Sequence, residues 1–185
     1  MIAPILIFVV SMTGVVAALT LPGLTDLLLL ASPCALASLF LVVRAIATRP
    51  PPPKWVMIDG SNVMHWKDGT PQIETLHEVV QRLTALGFSP GVVFDANAGY
   101  KISGRYQHDW SLGKRLGLPE ERVMVVAKGT PADPTILAAA RDLKARIVSN
   151  DRYRDWAAAH PEVSEPGHLI RGGYRDGALW LDLAG

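Results

Sequence analysis

Hydrophobic and polar positions change their rhythm once along this chain, near residue 50. Before that point, Ile2 to Leu21 is an uncharged run, and Leu27 to Val43 is a second. At about 1.5 Å per residue, runs of this kind match the ~30 Å hydrocarbon core of a bilayer. Pro22, Gly23, Thr25 and Asp26 between them have turn chemistry, so the two runs are expected to form a helical hairpin. Pro33 is a place for a kink in the second run. A buried core hairpin is the competing reading, but two long runs without one Lys, Arg or Glu favour lipid.

From Lys54 onward, short apolar runs alternate with helical spacing. Trp55–Ile58, Gly91–Phe94, Val123–Val126 and Arg146–Val148 read as strands. Apolar residues at Ile73, Leu76, Val79, Val80 and Leu83 predict a helix over 73–86 that stops at Gly87. Further helices are expected over 106–116, over 135–143 starting near Asp133, and from about Arg152 to Ala159. Leu169 to Leu183 reads as two strands joined around Asp176-Gly177. The alternation predicts an α/β fold: a three-layer, Rossmann-like, mainly parallel sheet after a two-helix transmembrane hairpin. The expected divisions are the hairpin over 1–43, a Pro-rich linker over 44–53 and a folded domain over 54–185. The prolines at 50 to 53 favour an extended polyproline II spacer.

Charge sharpens this division. All 18 Lys and Arg lie at or after Arg44, whereas only one of the 17 acids, Asp26, precedes it. Arg44, Arg49 and Lys54 flank the second run and the turn carries no basic residue, so the positive-inside rule places the domain and the N-terminus in the cytoplasm. The expected location is the inner or plasma membrane of a bacterium, with two passes and the bilayer as partner through residues 2–43. The first run has no basic flank of the signal-peptide type. The domain's charge is nearly balanced, which excludes nucleic-acid binding by bulk charge and leaves only local patches. Cys34 is the single cysteine, so an internal disulfide and a CxxC metal site are excluded.

Ligands of parallel α/β sheets bind beyond the carboxyl ends of the strands. Three of the four expected strands run into an aspartate there: Asp59, Asp95 and Asp151. Asp133 opens the helix after the third strand, and Asp155 follows Asp151 by four residues, one face of a helix. Each could simply cap a helix or a turn. Their shared placement points instead to a site, because clustered carboxylates repel one another and a divalent cation removes that penalty. An all-oxygen set suits Mg²⁺ or Mn²⁺, which can activate water and stabilise charge on a phosphate. Lys101, Arg105, Lys128, Arg152 and Arg154 flank these acids and could grip backbone phosphates. Trp66, Tyr100 and Tyr153 could stack on bases, each with a core or solvated role as the alternative. His65 reads as a hydrogen-bonded structural residue.

The run Val56-Met57-Ile58-Asp59-Gly60-Ser61-Asn62-Val63 resembles the opening of the NYN domain, a branch of the PIN-like nucleases. Ile147-Val148-Ser149-Asn150-Asp151-Arg152-Tyr153-Arg154-Asp155 is similar to the fourth-strand motif of its Regnase-type, CCCH-finger-associated ribonuclease branch, and Gly129-Thr130-Pro131-Ala132-Asp133 to the central acidic motif. The resemblance covers about residues 54–183. It implies a PIN-like fold and a Mg²⁺-dependent endoribonuclease that prefers single-stranded RNA. It makes Asp59, Asp133 and Asp151 metal-binding acids, Asn62 their polar partner and Asp155 an additional catalytic acid; Asp95, from its strand-end position alone, is a possible additional acid. The chain departs from the pattern at Pro134, where relatives often have a second acid, and it has no CCCH finger. That departure admits an alternative: a catalytically degenerate RNA-binding or scaffold module tethered to the membrane. A nuclease acting on DNA or structured flaps fits less well.

Overall fold

The computed structural model describes residues 2–48 and 51–184. The chain divides into two compact units, Met1–Pro52 and Pro53–Gly185. In the first, α1 (Ile2–Thr20) and α2 (Leu28–Ala47) pack on each other, joined by a turn and a short 3₁₀ segment at Thr25–Leu27. Small residues let the backbones approach: Ala18, Ala31, Ala35 and Ser38 are buried, and a Cβ on Gly14 would sit 3.3 Å from that of Ala31. The Thr13, Thr20 and Ser38 hydroxyls donate to carbonyls of their own helix, which an apolar surrounding requires. α2 continues through Pro33 and past Val43, so Arg44 to Ala47 are helical rather than linker. Helix formers occupy those positions, and the helix stops at Thr48, ahead of the prolines. Arg49 and Pro50, part of the expected spacer, lie outside the described residues.

The second unit is built on a five-stranded parallel sheet. Its strands are β1 (Lys54–Asp59), β2 (Phe88–Phe94), β3 (Val123–Val125), β4 (Arg146–Val148) and β5 (Leu169–Ile170), in the order β3-β2-β1-β4-β5. The strand period sorts two cores. Val56, Ile58, Val92, Phe94 and Val148 face α4 (Ile73–Ala85) and α6 (Asp109–Leu116); Met57, Val93 and Ile147 face α7 (Ala132–Leu143). Two short helices, α3 (Gly60–Val63) and α5 (Ala98–Ser103), follow β1 and β2. An antiparallel hairpin, β6 (Gly172–Arg175) with β7 (Ala178–Leu181), turns at Asp176-Gly177 and closes the chain. The expected three-layer parallel architecture is present.

Four local expectations are corrected. The segment from Arg152 to Ala159 is not an α-helix: a 3₁₀ turn at Arg154–Trp156 follows irregular backbone. There the Asp151 carboxylate accepts the Tyr153 N–H, and Tyr153 takes φ +48°, both incompatible with a helix at that point. Asp151 and Asp155 therefore share no helical face. The helix expected from Tyr106 starts at Asp109, because Arg105–His108 are irregular; α5 precedes it, ended by Gly104 at φ +70°. Leu169–Ile170 joins the main sheet as a fifth strand; two residues are too short a run to read from periodicity. Asp133 lies inside the first turn of α7, with Pro131 at the cap position.

Candidate active site

The strand order places β1 beside β4, so the connections leaving these two strands diverge to opposite faces and leave a crevice between them. Asp59 ends β1 at that crevice and is only 6% exposed. Its Oδ1 accepts the Asn62 N–H at 3.0 Å and so caps α3. Its Oδ2 accepts the hydroxyls of Ser149 at 3.0 Å and Tyr153 at 3.2 Å. Ser149 is fully buried, and its oxygen also accepts the Asp151 N–H at 3.1 Å, linking the two acids. Burial pushes the Asp59 carboxyl up to about 6 from its ordinary 3.8, against the pull of these hydrogen bonds and with a further push from Asp133. Burial and the neighbouring Asp59 charge hold the Tyr153 phenol protonated as a donor.

Asn62 ties the first and fourth loops together. Its Oδ1 accepts the Trp66 indole N–H at 2.8 Å and the Asn150 backbone N–H at 3.1 Å. Among the described residues its amide N–H groups have no partner, so they are available to a ligand. Asp133, half-buried, is raised from its ordinary value by burial first, then by the charges of Asp151, Asp95 and Asp155, while a hydrogen bond from the Trp156 side chain lowers it. Asp95 is half-buried, and its N–H donates to Ser61 Oγ at 2.8 Å. Asp151 and Asp155 are exposed. Five carboxylates thus share one electrostatic field at one sheet edge. Among the described residues, no three His, Cys, Asp or Glu side chains stand close enough to form a ready cage for a metal ion.

The flanking cations Lys101, Arg105, Lys128, Arg152 and Arg154 are all exposed, with Lys101 on α5. The aromatic expectations divide. Tyr153 is 2% exposed and bonded to Asp59, so it cannot stack on a base. Trp66 is held by Asn62 and packed against the core. Tyr100 is exposed and stacks obliquely on Tyr106. His65 Nδ1 lies 2.8 Å from the Ser61 carbonyl, the structural role expected of it. The sequence reading missed Ser149 and the phenol of Tyr153. A hydroxyl directly before Asn150-Asp151 was the available signal for Ser149; Tyr153 reaches Asp59 only through its positive φ, which no periodicity shows.

The model of the Zc3h12a-like ribonuclease NYN domain family matches residues 53–166. Among solved structures, the crystal structure of nuclear proteinaceous RNase P 2 from A. thaliana is 18% identical with a TM-score of 0.55, over 77% of this chain and 32% of that one. A structure of the same Arabidopsis thaliana protein, nuclear protein-only RNase P 2, is 19% identical with a TM-score of 0.54, over the same shares. At this identity the likeness is one of fold, and the chain spans about a third of the length of these two. No curated protein matches the chain.

Proposed function

This chain belongs to the Zc3h12a-like ribonuclease NYN domain family through residues 53–166, and from that premise we propose that it is a membrane-anchored, divalent-metal-dependent endoribonuclease cutting single-stranded RNA. The carrying observation is Asp59, buried at the β1/β4 crevice and pushed up by burial and by the charge of Asp133, which is itself pushed up by burial and by Asp151. The donors are all oxygens, and an ion such as Mg²⁺ keeps most of its waters and needs only one or two carboxylates, so the set fits without a closed cage. Held by Asp59, Asp133 and Asp151, Mg²⁺ or Mn²⁺ would supply an activated water and charge stabilisation at the phosphate.

The chain's own residues do the remaining work. Asn62 N–H, Ser149 and Tyr153 fix the Asp59 carboxylate by three hydrogen bonds, so its orientation is set before substrate arrives. Asp95 and Asp155 add negative potential at Asp133. The free amide of Asn62 can donate to a phosphate oxygen or a water. Lys101, Arg105, Lys128, Arg152 and Arg154, all exposed, would supply contacts to the RNA backbone.

The anchor rests on α1 and α2. The spans Ile2–Thr20 and Thr25–Ala47 are long and apolar enough to cross a bilayer, and most of their apolar side chains are exposed rather than buried as in a core helix. Arg44 favours a cytoplasmic domain.

A titration of Mg²⁺ and Mn²⁺ against cleavage of unstructured RNA tests the reading. Wild type should cleave; Asp59→Asn and Asp151→Asn should not. A wild type that cleaves no RNA at any metal concentration sinks it. Pro134, seated in the first turn of α7 where a proline costs no helix hydrogen bond, favours one alternative, a module that binds RNA without cutting it. That alternative predicts RNA retention unaffected by EDTA and no products.

A further inference from the structure

The β6–β7 hairpin starts at the catalytic edge. β5 runs parallel to β4, and Gly172 opens β6 beside Asn150. Asn150 grips that point twice: its Nδ2 donates to the Gly172 carbonyl at 2.9 Å, and its Oδ1 accepts the Gly172 N–H at 3.2 Å. Trp66, bonded to Asn62, packs so closely on Gly172 that a Cβ there would come within 2.5 Å of its ring. The Gly172–Leu181 pair is thereby fixed to the loops that carry Asn62 and Asp151.

Strand alternation then decides what the hairpin presents. Leu179 and Leu181 pack against the core, and the Tyr174 hydroxyl, on the same side, donates to Glu78 of α4 at 2.6 Å. Gly173, Arg175, Ala178 and Trp180 occupy the other side. Trp180 pairs with Gly173, one register step, about 3.3 Å, from the Asn150 clasp. Its ring lies across the bare Gly173 backbone, where an added Cβ would touch Nε1 at 3.4 Å. The Arg175 guanidinium stands 5.8 Å from the ring centroid. Trp180 is 40% exposed and belongs to neither core. The contact with Gly173 accounts for part of the ring, and the rest is left open to solvent. Asp176 and Asp182 offset Arg171 and Arg175, so the face is not strongly basic, and its chemistry is that of an aromatic platform with one cation beside it.

We propose that this outer face is a base-stacking subsite for the RNA strand next to the cleaved phosphate, with Trp180 as the platform and Arg175 as its phosphate contact. The assignment rests on the RNA reading above, and Gly172–Leu181 lies outside residues 53–166 that match the family.

The test uses the full-length chain in detergent micelles. A short fluorescein-labelled unstructured RNA gives Kd by anisotropy in EDTA, and cleavage with Mg²⁺ gives kcat and KM. Trp180→Ala and Trp180→Leu should weaken Kd and raise KM by about 5- to 150-fold, with kcat nearly unchanged. Trp180→Phe should keep most of the affinity, because it keeps a ring. An abasic strand of equal length should bind wild type and Trp180→Ala alike. Arg175→Gln should reduce the salt slope of binding by about 0.7. Equal Kd for RNA in wild type and Trp180→Ala overturns the subsite. So does a loss in all three Trp180 variants that tracks lowered thermal stability and falls on kcat, since that marks a structural role. A wild type that neither binds nor cuts RNA overturns the functional reading as well, and is told apart by that result alone.

Discussion

At the scale of single residues, the buried charge of Asp59 sets opposite demands on stability and activity. Its carboxyl titrates near 6 in the fold against an ordinary 3.8. Above pH 6 the metal-free fold therefore carries an ionised buried acid that costs about 3 kcal/mol, and the cost fades as pH falls from 6 towards 4. Asp59→Asn should accordingly abolish cleavage yet raise the thermal midpoint of the metal-free protein at pH 7 to 8, and the gain should shrink in scans run at pH 5. A gain that is the same at both pH values would show that Asp59 is not held high. Tyr153→Phe removes a hydrogen bond that favours the ionised form. It should destabilise by about 1 to 2 kcal/mol and move the acid limb of the pH–rate profile upward. Of this chemistry, Asp59, Asp133 and Asp151 are legible in the sequence, because strand ends and helix starts mark them. Ser149 shows only as a hydroxyl ahead of Asn150-Asp151, and Tyr153 does not show at all, because its role depends on a left-handed backbone turning its side chain.

At the scale of elements, the site depends on how closely α3 can approach the sheet. A Cβ on Gly60 would fall 2.6 Å from the Phe94 ring and 2.9 Å from Val92. Gly60→Ala should therefore push α3 off β2, cost about 1 to 3 kcal/mol in chemical denaturation, and lower cleavage through the displaced Asp59 cap. In the apolar hairpin Gly14 meets Ala31 in the same way at 3.3 Å. The central strands and α4 are readable from period alone, since each has several core positions. β5 and α5 are too short for a period, and the segment after Asp151 fails as a helix because the Asp151 and Tyr153 backbone is bonded locally. The order β3-β2-β1-β4-β5 itself follows from pairings no local pattern contains.

At the scale of the molecule, balanced charge limits how the domain holds RNA. If Lys101, Arg105, Lys128, Arg152 and Arg154 are the phosphate contacts together with Arg175, the plot of log Kd against log salt should have a slope no steeper than about 4.2. A slope well above that, measured by anisotropy in EDTA, would mean that other cations carry the binding. Residues 1–52 form a unit separate from the nuclease domain. Their removal should move the protein from the membrane pellet to the supernatant while leaving RNA cleavage by residues 53–185 intact.

Asp59 meets its hydroxyl donors across 90 and 94 residues of chain. Such distant pairing orders events during synthesis. The apolar helices and β1 leave the ribosome first, with Asp59 at the strand's end lacking Ser149, Tyr153 and the acids that complete its crevice. Only after β4 has emerged and docked beside β1 does the site close. If the proposed anchor takes the ribosome to the bilayer, the nascent chain there has no assembled site, and the message being read meets none until β4 has docked.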